Sequence, residues 1–169
     1  RSLCPFTFEV SMIDSDKNSP AFNSYANVDD LKQFAMQRGY SLPDDSVLPP
    51  LLFQAMDYLS TKQWKGRKAN ADQPLVFPRK GIYVDGELVP DDVIPKPIIQ
   101  AQCRLAVDSL EYDLTPTVGG EVVSESVSGA VSVTYTEGTN SGVPNMAWFN
   151  SLLRGFLSGG GATFKVFRG

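Results

Sequence analysis

Apolar positions along this chain fall into three runs with helical spacing, separated by stretches where proline, glycine and charge interrupt every pattern. In the first run, Val28, Leu31, Phe34 and Ala35 recur at intervals that place them on one helical face. Asn27 can accept from the unpaired N–H groups of its first turn, Asp29 and Asp30 suit the positive end, and Gly39 can take the left-handed conformation that ends a helix. A second helix is expected from Ser46, with Leu48, Leu51, Leu52, Ala55, Met56 and Leu59 as its buried stripe. Pro49 and Pro50 are tolerated there because the first turn has no N–H partners to lose. A third helix is expected from Pro97 through Ile98, Ala101, Gln102, Leu105 and Ala106 to Leu110.

Between and beyond these helices the pattern turns extended. Phe6, Phe8 and Val10 alternate with Thr7 and Glu9, which suits a short strand with one covered face. From Gln63 to Pro95, four prolines leave only short extended stretches, so residues 62–95 read as a long ordered loop. Within it, Ile82-Tyr83-Val84, the turn pair Asp85-Gly86 and Glu87-Leu88-Val89 make a small hairpin. Residues 116–143 are β-branched and alternating, which predicts a second hairpin bending at Ser128-Gly129. Residues 144–169 read as an arm: a short helix carrying Trp148, Phe149, Leu152, Leu153 and Phe156, a glycine hinge, and a terminal strand with Phe164, Val166 and Phe167. The expected fold is mainly α with β additions: a small helical bundle over 1–115 with its long loop, then the β-hairpin, then the extended C-terminal arm.

Charge changes this picture at one place. Residues 62–80 hold Lys62, Lys65, Arg67, Lys68, Arg79 and Lys80 against Asp72 alone, a local +5 in a chain of net −4. The rest of the chain therefore carries −9. Such polarity fits a nucleic-acid-binding loop or a contact surface for a protein of opposite sign. Trp64, Phe77 and Tyr83 interleave with the cations as stacking platforms for bases, or else Trp64 and Phe77 are anchors that pin the loop to the bundle. The anchor reading is favoured for Phe77 because Pro74-Leu75-Val76-Phe77-Pro78 is too apolar to leave in water.

Composition limits the alternatives. A 169-residue chain with 42% hydrophobic and 20% charged residues suits one soluble globular core. No apolar run approaches the roughly 20 residues that cross a bilayer, and the start lacks the apolar stretch of a signal peptide, so synthesis in the cytoplasm without membrane association is expected. There is no histidine, and Cys4 and Cys103 lie too far apart in sequence to suggest a zinc site. Cys103, beside Leu105 and Ala106, reads as a small buried hydrophobe. The run Gly159-Gly160-Gly161 lacks the Lys-Ser/Thr of a phosphate-binding loop, and no nucleophile elbow occurs. The pairs Asp29-Asp30, Asp44-Asp45 and Asp91-Asp92 stand at or before helix starts, where charge–dipole stabilisation accounts for them. No catalytic, cofactor-binding or metal-binding residue is expected, and the chain does not read as an enzyme.

The order of motifs resembles a tailed-bacteriophage family labelled DnaT-like single-stranded-DNA-binding proteins. The matching pieces are Asn23-Ser24-Tyr25-Ala26, Ala55-Met56-Asp57-Tyr58-Leu59, Trp64-Lys65-Gly66-Arg67, Gln73-Pro74-Leu75-Val76-Phe77-Pro78-Arg79, Gly81-Ile82-Tyr83, Ile94-Pro95, Val131-Ser132-Val133-Thr134-Tyr135 and Leu152-Leu153. That family is similar in layout to head-to-tail adaptors, small helical proteins that form a ring under the portal. The resemblance implies a structural protein of the virion neck, made in the host cytoplasm and assembled as a ring of about 12 copies. Its partners would be the portal protein, a downstream tail or neck protein, and packaged DNA passing through the channel without tight binding. On this reading Trp64, Lys65, Arg67, Lys68, Arg79, Lys80, Trp148, Phe149, Leu152, Leu153, Phe156, Phe164, Val166 and Phe167 face the portal, a neighbour or the tail. The alternative is a single-stranded-DNA-binding accessory of phage replication, with Lys65, Arg67 and Lys68 on the nucleic acid.

Overall fold

A computed structural model of the chain describes residues 13–115 and 146–159. The strand expected at Phe6–Val10, the hairpin of 116–143 and the terminal strand with Phe164, Val166 and Phe167 lie outside the described residues.

Helix α1 spans Val28–Arg38 and both its ends are closed by the residues the sequence offers. The Asn27 side chain accepts from the Asp30 N–H at 2.8 Å, and the Asp30 carboxylate accepts from the Asn27 N–H at 3.0 Å, a reciprocal capping box. At the other end Gly39 has φ 72°, and the Tyr40 N–H donates to the Ala35 carbonyl at 2.9 Å, which closes the last turn. Helix α2 spans Leu48–Ser60, two residues later than its expected start. The difference arises in a preceding turn, where the Val47 and Leu48 N–H groups donate to the Asp44 and Asp45 carbonyls. Its expected stripe of six apolar residues is buried throughout.

Helix α3, Lys96–Asp108, is the centre of the bundle, packed most extensively on α2 and also on α1 and the short helix α4, Ala147–Leu152. Ile98, Ala101, Leu105 and Ala106 are fully buried against Leu31, Leu48, Leu52 and Ala55. Gln102 sits among them with no exposed surface. Its carbonyl oxygen accepts from the N–H groups of Tyr25 and Ala26 at 3.1 and 2.8 Å. Its amide donates to the Ser24 hydroxyl at 2.7 Å and the Leu52 carbonyl at 3.3 Å. One buried side chain thus satisfies the bend that leads into α1 and ties three segments together.

Two small antiparallel ribbons lie in the loop between α2 and α3. Strands β1, Arg67–Lys68, and β2, Arg79–Lys80, pair Arg67 with Lys80 and Lys68 with Arg79. Strands β3, Tyr83–Val84, and β4, Glu87–Leu88, form the expected hairpin around Asp85-Gly86. The fold is mostly helical with β additions, and no helix among the described residues is long and apolar enough to cross a membrane.

Candidate nucleic-acid interface

The basic loop is held rigid from beneath. Phe77 is 1% exposed and Trp64 8% exposed, and their rings meet edge to face at 5.1 Å. Tyr25 and Phe156 close around the same Phe77 ring at 6.1 and 6.3 Å. The Trp64 indole donates to the Leu59 carbonyl at 3.1 Å, and the Phe77 N–H donates to the Tyr25 hydroxyl at 3.1 Å. Both rings are therefore anchors of the loop and are not available to stack on bases; only Tyr83, of the three aromatics weighed from sequence, faces solvent. A five-residue apolar run bounded by Pro74 and Pro78 gains more from burial than its polar flanks lose, which is why the anchor reading prevails.

Two residues shape the loop above these anchors. The Gln73 amide donates to the carbonyls of Leu75, Val76 and Pro78, and its oxygen accepts from the Asn70 N–H at 3.0 Å. Arg79 turns inward: its Nε donates to the Lys65 carbonyl and its Nη2 to the Gly66 carbonyl, both at 2.8 Å. Partial burial lowers the Arg79 pKa, opposed by its interaction with Tyr25. Gly66 has φ 68°, and a Cβ there would collide with the Lys80 carbonyl oxygen, so the two sides of the ribbon approach at a position only glycine allows.

What remains at the surface is a cluster of cations. Lys65, Arg67 and Lys68 are exposed, and Lys80 is half-buried. Both cross-strand pairs of the β1–β2 ribbon set like charges opposite each other, an arrangement that works against pairing. Among the described residues none of these cations is in a salt bridge; the pair formed joins Lys32 of α1 to Asp45 in the α1–α2 connection. Arg79 relieves one of the two conflicts by directing its guanidinium onto backbone carbonyls. The other is left to solvent or to an anion.

A family model described as "Putative DnaT-like ssDNA binding protein" matches residues 11–169. This chain belongs to that DnaT-like family. The comparisons with curated proteins and with solved structures returned no match.

Of the remaining expected contact residues of this DnaT-like protein, those among the described residues lie on α4 and just after it. Phe149, Leu153 and Phe156 are buried in the chain's own core, with Phe149 against Tyr58 at 5.3 Å. Residues 63–65 and 156–158 run side by side: the Lys65 N–H donates to the Phe156 carbonyl at 2.8 Å and the Ser158 N–H to the Gln63 carbonyl at 2.9 Å. This corrects the expectation that these three apolar residues face the portal, a neighbour or the tail: they are buried in the chain's own core, with Phe156 against the Phe77 ring beneath the basic loop. Trp148 is half-buried, with the Arg104 guanidinium 4.4 Å from its ring centre. Burial raises the Asp108 carboxyl, opposed by Arg104 and by a hydrogen bond from Trp148. Leu152 is half-buried at the edge of the core.

Sequence reasoning missed the β1–β2 ribbon and the inward turn of Arg79. Neither leaves a pattern, since the strands are two residues long and carry no apolar alternation. Cys103 is buried as expected, and no group of histidine, cysteine and acidic residues able to hold a metal occurs among the described residues.

Proposed function

We propose that this protein binds single-stranded DNA through its β1–β2 ribbon, gripping the phosphate backbone without catalysing a reaction on it. The observation that carries this reading is the pair of like-charged cross-strand couples, Arg67 with Lys80 and Lys68 with Arg79, in which Arg67 and Lys68 are exposed and, among the described residues, no carboxylate forms a salt bridge with any of the four. A fold that accepts repulsion at a two-stranded ribbon gains when a polyanion lies along it. The membership of a family described by single-stranded-DNA binding supports the same partner. Four cations, Lys65, Arg67, Lys68 and Lys80, reach the anion, while Arg79 holds the loop in shape.

Fluorescence anisotropy with a labelled single-stranded oligonucleotide across a salt series tests this. With four phosphate contacts, log K should fall against log salt with a slope of about −3. The double variant Arg67→Glu with Lys68→Glu should abolish binding at moderate salt; binding that survives the double reversal would rule out the ribbon as the site.

A second reading, a head-to-tail adaptor in the virion neck, is favoured by the charge balance of the chain, +5 in residues 62–80 and −9 elsewhere. Two unlike faces of opposite sign suit head-to-tail closure of a ring with the portal above and a tail component below. On that reading the ribbon meets a neighbour's carboxylates, and quantitative mass spectrometry of purified phage particles should find about 12 copies in each. Absence from the particle would discard it.

A further inference from the structure

The cationic ribbon accounts for attraction to phosphates, but single-stranded and duplex DNA both present phosphates. Preference for a single strand requires a place for an unstacked base, and such a place lies beside the ribbon. Tyr83 is 62% exposed and stands directly across β3–β4 from Leu88, itself 58% exposed. The two large side chains form an apolar step on one face of the hairpin.

This step is fixed in position. Ile82, immediately before Tyr83, is 1% exposed, and the Val89 N–H donates to the Ile82 carbonyl at 2.9 Å. On the opposite face Val84 closes on Gly155, where a Cβ would lie 2.9 Å from its nearer methyl. The turn is set by Asp85 at φ 51° and Gly86 at φ 85°. Tyr83 is three residues from Lys80, and the Gly66 backbone abuts both Lys80 and Ile82, which brings Lys65 and Arg67 to the same end of the loop. The charges of the hairpin have the opposite sign: Asp85 and Glu87 are both exposed. Phosphates are therefore drawn to β1–β2 and discouraged from β3–β4.

We propose that Tyr83, backed by Leu88, is a base-stacking platform that makes the basic ribbon selective for single strands, an inference that rests on the nucleic-acid reading above. A single strand can set its phosphates on the ribbon and turn a base onto the Tyr83 ring. A duplex keeps its bases stacked inside and brings a second line of phosphates toward Asp85 and Glu87.

The test is a pair of titrations on the full chain, with a labelled mixed-sequence single strand and with the duplex made from it. Tyr83→Ala should weaken single-strand binding about tenfold and leave duplex binding within about twofold, whereas Tyr83→Phe keeps the ring and the selectivity. Tyr83→Trp gives an independent readout, since an indole at this exposed position should be quenched by the single strand and not by the duplex. If the wild-type chain binds DNA but Tyr83→Ala loses nothing, or weakens both forms equally, the platform is wrong while the ribbon stands. If the wild-type chain binds neither form, the nucleic-acid reading itself fails.

Discussion

Burial of ionisable side chains in this small core makes the fold sensitive to alkali. The Cys103 thiol is pushed from its ordinary 9.0 up to about 12, first by burial and then by the negative charge of Asp30, with Arg38 opposing. Burial likewise moves the Tyr25 phenol from 10.0 to about 12, against hydrogen bonds to the Phe77 and Val76 backbone and the charge of Arg79. The native state holds both groups neutral over a range where the unfolded chain ionises them. Stability is therefore full below about pH 9 and declines as pH rises toward 12. Urea unfolding at successive pH values should show this alkaline limb, and Cys103→Ala should remove the part that begins lowest. The same residue scale contains Gln102, whose burial is sustainable only because its carbonyl oxygen and amide find the backbone of Tyr25, Ala26 and Leu52 and the Ser24 hydroxyl.

At the scale of elements, the β1–β2 ribbon is in conflict with itself. Like charges face each other at both register positions of a ribbon only two residue pairs long, and its buried anchors and the Arg79 and Gln73 hydrogen bonds must hold it against that repulsion. Reversing one charge should therefore help the fold while harming the proposed activity. Arg67→Glu, opposite Lys80, is expected to stabilise the native state by about 0.5 kcal/mol, read from the denaturant midpoint, and to weaken oligonucleotide binding in the same preparation. A loss of stability together with a loss of binding would mean that the arginine serves the fold. The helices show no such conflict. In α1 the capping box, the acidic first turn and the closing glycine agree, and that consistency made it the most legible element in the sequence.

Over the whole molecule, residues 146–159 contribute to the core of the described fold. Phe149, Leu153 and Phe156 are core residues of the described fold, Phe149 packed on Tyr58 of α2 and Phe156 on Phe77 of the basic loop. Phe149→Ala should destabilise the isolated protein by about 3–5 kcal/mol in thermal or urea unfolding. A residue serving only a partner interface would show no change in the isolated chain. The same measurement separates the two functional readings' shared scaffold from their differing surfaces, because the loop's shape depends on Phe156 and Trp64 whichever partner it meets.

The sequence by itself determined the three helices, their buried faces and the β3–β4 hairpin. Each is specified by local information: periodicity, caps, and a turn pair that tolerates positive φ. It also determined that positive charge gathers at residues 62–80 in an acidic chain. Tertiary structure alone decided which of those side chains are free. Arg79 and Lys68 are indistinguishable as cations in a sequence, yet one is turned onto the Lys65 and Gly66 carbonyls and the other is exposed. The apolar run around Phe77 already marks that ring as an anchor, whereas Trp64 and Tyr83 are told apart only by packing, which buries the first and leaves the second exposed. Phe149 and Phe156 read as a partner's surface until they are seen to pack on Tyr58 and Phe77, more than seventy positions earlier in the chain. Contacts between residues so distant in sequence leave no periodic trace, because what fixes them is the close packing of a single core.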